Sequence, residues 1–344
     1  MPEARLAGEK IFAPLVLGAF SLAHRVVMPA MARGRAAPAG GVPTPMMVSY
    51  YAQRATCGGL IVCEPVAVSP GMDDGRCPGL YSAEQVNHWR GVTDAVHARG
   101  GLVLAQLGHG ALRQPLELGE VDGVLESYRN AAENAGDAGF DGVELHADAD
   151  FMPQAFFSPS TDHAPATRAA DASPRWDLLQ QVTQTFIGVW TAARVGVCLA
   201  PFSGVSNLHR TTNPHNAVCT AVAAWLGQQH TAYLHLLLPQ GMGRDGSPLE
   251  HDCQTMAAQL RSAFGGALIV GGDLSAKQAC ALLDASLADA IAFTLPFVAN
   301  PDLPQRLRLG IPWASPVPVD FGAGAELGYT HDPAAAGRDS DACI

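Results

Sequence analysis

Eight short apolar or β-branched runs recur along the chain: 25–31 (RVVMPAM), 59–64 (GLIVCE), 102–107 (LVLAQL), 142–147 (GVELHA), 195–200 (VGVCLA), 232–238 (AYLHLLL), 267–271 (ALIVG) and 289–294 (DAIAFT). Each has the length of a strand and is bounded by Gly, Pro or Asp turn chemistry. Between them lie segments of helical periodicity near 45–56, 83–99, 125–138, 174–190, 214–228, 252–264, 275–286 and 301–308. Ser82, ahead of Ala83-Glu84-Gln85, and Ser275, after Asp273-Leu274, are usable helix N-caps. Strand–helix alternation repeated eight times predicts a parallel sheet with crossover helices, and eight units close a barrel. An open, doubly wound sheet would want a glycine-rich phosphate turn after the first strand, and Met31-Ala32-Arg33-Gly34-Arg35 is not one. The expectation is an α/β chain folded as a (β/α)8 TIM barrel over residues 1–330, with a flexible, Ala/Asp-rich tail at 331–344.

Composition narrows the function classes. Of 344 residues 48% are hydrophobic and only 15% charged, against about 25% charged in an ordinary soluble domain. Lys10 and Lys277 are the only lysines, and the net charge is −11. No basic face is available for a phosphate backbone, so nucleic acid is excluded as a partner. No apolar run reaches the roughly 18 residues of a membrane span, and the N-terminus does not read as a signal peptide. The eight cysteines are scattered without a C-x-x-C pair, which indicates neither a disulfide framework nor a zinc knuckle. A small-molecule partner and a cytoplasmic location are expected.

In such a barrel the chemistry sits at the C-terminal ends of the strands. Those ends carry Met31-Ala32-Arg33, Glu64-Pro65, Gln106 to His109, His146-Ala147-Asp148, Cys198, His235 to Pro239, Gly271-Gly272-Asp273 and Thr294-Leu295. The candidate catalytic residues are His146, Asp148 and His109, with Glu64 and Asp150 near the same mouth. A histidine beside carboxylates is tuned near neutral pH, which suits proton transfer. Gly271 and Gly272 offer backbone amides at the position where barrels hold phosphate. His235 and Cys198 read as buried structural residues. His251-Asp252-Cys253 lacks further ligands, and no metal site is expected.

At these residues the chain resembles the Old Yellow Enzyme family of FMN-dependent NAD(P)H ene-reductases. The resemblance runs through Ile11-Phe12-Ala13-Pro14-Leu15, His24 to Met28, Tyr50 to Ala55, Pro78 to Ser82, Val96 to Gly101, Gln106-Leu107 with His109, Ala138 to His146, and Phe297 to Pro304. It implies a cofactor face that includes Gln106, Gly271, Gly272 and Met31, with Gln106 on the pyrimidine edge of the flavin. It also implies that His146 holds a substrate carbonyl, as oxyanion-type donors do, and that members commonly self-associate.

The same comparison marks departures from the family pattern. Its flavin-bonding threonine is Ala32, its small residue after strand two is Pro65, and its arginine at the flavin N1/O2 edge is Cys198. The phosphate-binding Gly-Arg pair is Thr294-Leu295. The second anchor and the proton-donating tyrosine after strand four become Ala149 and Phe151, and the capping region between His109 and Ala131 is short. FMN binding is therefore expected to be weak or lost, with NAD(P)H relevant only if FMN is bound. Three readings stay open: isomerisation or cyclisation of an unsaturated carbonyl compound, FMN-dependent ene-reduction, and a non-catalytic binding role.

Overall fold

Runs that are apolar on both faces need cover on both faces, and closure of the sheet into a barrel wrapped by helices supplies it. The structure, a computed structural model, describes residues 9–70, 77–108, 121–147, 177–200, 214–238, 249–314 and 329–330. The chain enters through a hairpin, β1 (Leu15–Leu17) and β2 (Phe20–Leu22), and passes into β3 (Val26–Met28), β4 (Leu60–Val62) and the two-residue β5 (Val66–Ala67). It continues through β6 (Leu102–Gly108), β7 (Gly142–Ala147), β8 (Val195–Leu199), β9 (Tyr233–Leu237), β10 (Leu268–Gly272) and β11 (Ala290–Phe293). Strands β3, β4 and β6 to β11 are parallel neighbours in that order, and β11 pairs with β3 to close an eight-stranded barrel. All eight lie within the runs marked by the hydrophobic pattern or within one residue of them.

Helices α1 (Pro45–Arg54), α2 (Ala83–His97), α3 (Val121–Asp137), α4 (Asp177–Trp190), α5 (Pro214–Gln228), α6 (Leu249–Phe264) and α7 (Ala276–Asp284) fill the crossovers. Ser82 and Ser275 each form a full capping box, with Gln85 and Gln278 returning the bond. Past β11 the sequence pattern anticipated one helix at 301–308, whereas the chain makes two: α8 (Thr294–Ala299) and α9 (Leu303–Leu309). The first follows the last strand without a turn signal. It is anchored from outside, where Arg54 of α1 donates to the carbonyls of Phe297 and Val298 at 2.9 Å each. Cys57 is engaged in a disulfide, contrary to the expectation from cysteine spacing, which cannot register pairing through the fold. The expected tail at 331–344 lies outside the described residues, and among those described no helix is long and apolar enough to cross a membrane.

Two apolar layers result. Outside, strand residues such as Leu145, Val197 and Ile291 pack against Trp89, Tyr128, Phe186 and Leu226 of the helices. Inside, Leu17, Phe20 and Leu22 of the hairpin join Leu60, Leu104, Tyr233 and Ile269 in a separate cluster, so the hairpin plugs the N-terminal end of the barrel. The hairpin was not anticipated, because strands of three residues leave almost no periodic signal. The plugged end leaves the opposite, C-terminal end as the face where chemistry can occur. Phe20 is 2% exposed and faces Gly142, where a Cβ would stand 2.8 Å from its ring. Phe20→Ala should therefore lower unfolding free energy by about 3–5 kcal/mol in a urea titration, whereas a loss under about 1 kcal/mol would mean the hairpin is peripheral to the barrel.

Candidate active site

Beneath the C-terminal mouth, alternation along the strands turns a set of polar side chains inward. Glu144, in the middle of β7, is fully buried. Its Oε1 accepts from Gln106 Nε2 at 2.7 Å, and its Oε2 accepts from the Tyr233 hydroxyl at 2.9 Å and lies 3.2 Å from His235 Nδ1. Burial by itself would push this carboxyl up. The adjoining His235 imidazole, together with the Gln106 and Tyr233 donors, more than offsets burial and holds it below its ordinary value. Tyr233, pushed well up by burial, stays a phenol and a donor. Cys198 is the Cα partner of both His146 and His235 and is 1% exposed.

The rings of this layer sit over glycines on neighbouring strands. A Cβ at Gly196 would overlap the Tyr233 ring; at Gly271 it would stand 2.6 Å from His235 Nε2; at Gly108 it would meet His146 Nδ1 at 3.3 Å. Gly271 is thus required by the packing of His235, a reason separate from any anion. Gly272 combines a φ of 150° with a Cβ position 3.1 Å from the Leu238 side chain.

A second polar cluster lies between the ends of β3 and β4 and helix α1. Glu64 Oε2 accepts from the Arg33 backbone at 3.4 Å, and its Oε1 accepts from the Tyr51 hydroxyl at 3.3 Å. Arg33 and Arg35 each stand 5.4 Å from the Tyr329 ring, which stacks on Tyr50 at 4.1 Å. Burial raises the Glu64 carboxyl from 4.5 to about 7; the Arg33 and Tyr51 bonds and the two guanidinium charges pull against it without prevailing.

The candidate residues divide accordingly. Gln106 and His146 lie on adjacent strands at the mouth, and His146, two residues along β7 from Glu144, is 4% exposed. Gly271 and Gly272 end β10, four strands from Gln106 on β6 and across the barrel from it, with β7, β8 and β9 between. Met31 is partly buried against the outer apolar cluster. Asp148 and His109 lie outside the described residues, as do Ala149, Asp150 and Phe151. The organising residue, Glu144, lies below the strand end and so is not among the candidates that strand-end position nominates. Its signal was a lone carboxylate amid an otherwise apolar run, since a buried charge requires partners.

The donor set fits a flavin in part. Gln106 Oε1 and Thr294 Oγ1 are buried without a hydrogen-bond partner among the described residues, so an acceptor and a hydroxyl remain for a ligand at the strand ends. Gln106 spends its NH2 on Glu144 and would meet the flavin pyrimidine edge as an acceptor. Cys198 and Leu295 contribute no cation, and Leu295 is 36% exposed.

Glu64 sets a pH dependence. With a folded value near 7 against 4.5, the native state holds the proton more tightly than the unfolded chain, so its contribution to stability is present below 4.5 and lost as pH rises through 7. The opposite case is His24, lowered by burial from 6.5 to about 4, whose contribution is lost as pH falls through that window. Subtracting wild type from Glu64→Gln isolates the first. The difference should grow in favour of the variant by on the order of 3 kcal/mol between pH 4.5 and 8 in denaturant titrations; a flat difference would contradict the assignment.

Comparison with known proteins agrees with this architecture. A family model described as NADH:flavin oxidoreductase / NADH oxidase matches residues 10–122 and 112–313. Flavin oxidoreductase hxnT of Emericella nidulans is 29% identical over 360 residues, covering 88% of this chain and 91% of the relative. 12-oxophytodienoate reductase 7 of Oryza sativa is 30% identical over 351 residues, covering 87% and 88%. Among solved structures, morphinone reductase superposes with a TM-score of 0.81 at 33% identity, covering 94% of this chain and 96% of the other. The Old Yellow Enzyme homologue of Zymomonas mobilis gives 0.82 at 30% identity, covering 94% and 99%. With the family model matching most of the chain and the barrel superposing on solved members, the chain belongs to the NADH:flavin oxidoreductase / NADH oxidase family, the Old Yellow Enzyme family of flavin oxidoreductases.

Proposed function

We propose that this chain is an oxidoreductase that binds FMN weakly and uses NAD(P)H to reduce the electron-poor double bond of a small unsaturated carbonyl compound. The observation that carries this reading is Gln106 Oε1, a buried acceptor with no hydrogen-bond partner among the described residues. FMN, when bound, supplies hydride transfer. Gln106 would hold the pyrimidine edge, the Gly271-Gly272 backbone and Thr294 hydroxyl would meet the phosphate end, and Met31 would pack nearby. His146 would donate a hydrogen bond to the substrate carbonyl oxygen as charge develops on it. Binding is weak because charge-assisted arginine contacts, worth about 1.5–3 kcal/mol each, have no counterpart at Cys198 and Leu295. A net charge of −11 is in keeping with a soluble small-molecule enzyme working in the cytoplasm.

A second reading, isomerisation or cyclisation of the same class of compound at His146, draws on a different observation. The inner face under the mouth holds an ionised Glu144 and, at 198, a cysteine where the resemblance expects a cation. Such surroundings oppose added negative charge on a bound flavin.

Titrating the purified protein with FMN while following visible absorbance separates the two. Saturable binding with a flavin spectrum, weakened about tenfold or more in Gln106→Leu through loss of a hydrogen bond, and NAD(P)H oxidation by the loaded protein are expected. Absence of binding at millimolar FMN would overturn the redox reading in favour of the second. His146→Ala should then abolish any turnover detected.

A further inference from the structure

We propose that Glu144, Cys198 and His235 form a divalent metal site inside the barrel, suited to Zn2+. A carboxylate oxygen of Glu144, the Cys198 sulfur and a ring nitrogen of His235 all lie within 4.8 Å of one another, and all three residues are buried. They come from three consecutive parallel strands, β7, β8 and β9, with Cys198 and His235 as direct partners and Glu144 two positions below Cys198's level. In a tetrahedral site, zinc bonds of about 2.3 Å to sulfur and about 2.0–2.2 Å to nitrogen and oxygen set the ligand atoms about 3.4–3.6 Å apart. Side-chain movement of about an ångström would draw the three donors, which lie within 4.8 Å of one another, onto one ion.

Three further observations favour an ion over a purely structural network. His235 is 1% exposed, one of its nitrogens is engaged with Glu144, and the other, Nε2, has no hydrogen-bond partner among the described residues. A buried imidazole nitrogen left in that state calls for a water, an ion or another donor. The donor set is also selective: thiolate, imidazole and carboxylate together suit zinc, whereas calcium and magnesium take oxygen ligands. Finally, the charges balance. Binding releases the Cys198 thiol proton to solvent, and a thiolate plus a carboxylate neutralise a dication, which removes much of the cost of burying any one of the three.

Three protein ligands leave a position for water, the arrangement of reactive rather than purely structural zinc sites. His146 stands two residues beyond Glu144 on the mouth side of β7. The site borders the positions of Gln106 and Cys198 that face the proposed flavin edge, and the metal titration reads it directly, without FMN, so its failure is distinguishable from failure of the redox reading.

The test uses the full-length protein, stripped with a chelator, dialysed and titrated with Co2+ and Zn2+. The expected result is one Co2+ per chain with a near-ultraviolet thiolate-to-cobalt band. That band should disappear in Cys198→Ser and persist in Cys219→Ser, and Zn2+ affinity should fall at least tenfold in His235→Asn. Circular dichroism checks that each variant folds; if Cys198→Ser does not, His235→Asn reads the same site through a weakened cobalt band. No thiolate band in the wild type, or one retained in Cys198→Ser, overturns the proposal. So does metal that dialyses away without stoichiometry, which would be an adventitious ion only.

Discussion

A carboxylate with no exposure inside a closed barrel is the constraint around which the C-terminal half of the interior is arranged. Left unbonded, Glu144 would have to take up a proton or cost several kcal/mol. Instead its two oxygens draw in Gln106 from β6 and Tyr233 and His235 from β9, so one side chain ties together strands separated by β8. This fixes which end of each of those side chains remains available. Gln106 gives its amide hydrogens to Glu144 and keeps its oxygen; His235 gives Nδ1 and keeps Nε2. The chemistry open to the mouth is what this internal bonding leaves over.

Space for the network comes from missing side chains. Tyr233 lies over Gly196, His235 over Gly271, His146 over Gly108, and on the floor Phe20 over Gly142. A barrel interior of eight short strands is narrow, and rings this large fit only where the adjacent strand carries no Cβ. The Gly271-Gly272 pair therefore answers to packing as well as to any ligand. Outside the barrel, Glu64 plays a parallel part. It joins the turn after β3 to helix α1 and sits under two arginines, but with weaker bonds, and it favours its neutral form where Glu144 favours its charged one. Two buried carboxyls on one scaffold are driven apart by the number and quality of their donors, not by burial, which they share.

Much of this was legible before folding. The eight strands are apolar runs bounded by turn residues, and periodicity located the helices because both signals are local. The Ser82 and Ser275 caps are equally local, since the bonding residue lies three positions away. The hairpin plug and α8 were not legible: one is too short to show a period, and the other is held by Arg54 from 243 residues earlier in the chain. In the candidate site, Gln106 and His146 could be nominated from their place at strand ends. Their partners could not, because alternation shows that a residue faces inward but not what it meets there.

By itself, then, the sequence determined the strand–helix alternation, the barrel and the end of it that bears reactive side chains, together with a family resemblance carried by strings such as Ala138 to His146. Those are properties of neighbours along the chain. Only the tertiary structure decided that Glu144, a lone carboxylate in an apolar run that needed partners without naming them, would gather Gln106, Tyr233 and His235, and that Cys198 would come close to Glu144 and His235. The register between parallel strands sets those distances, and register is fixed by closure of the whole barrel rather than by any one segment.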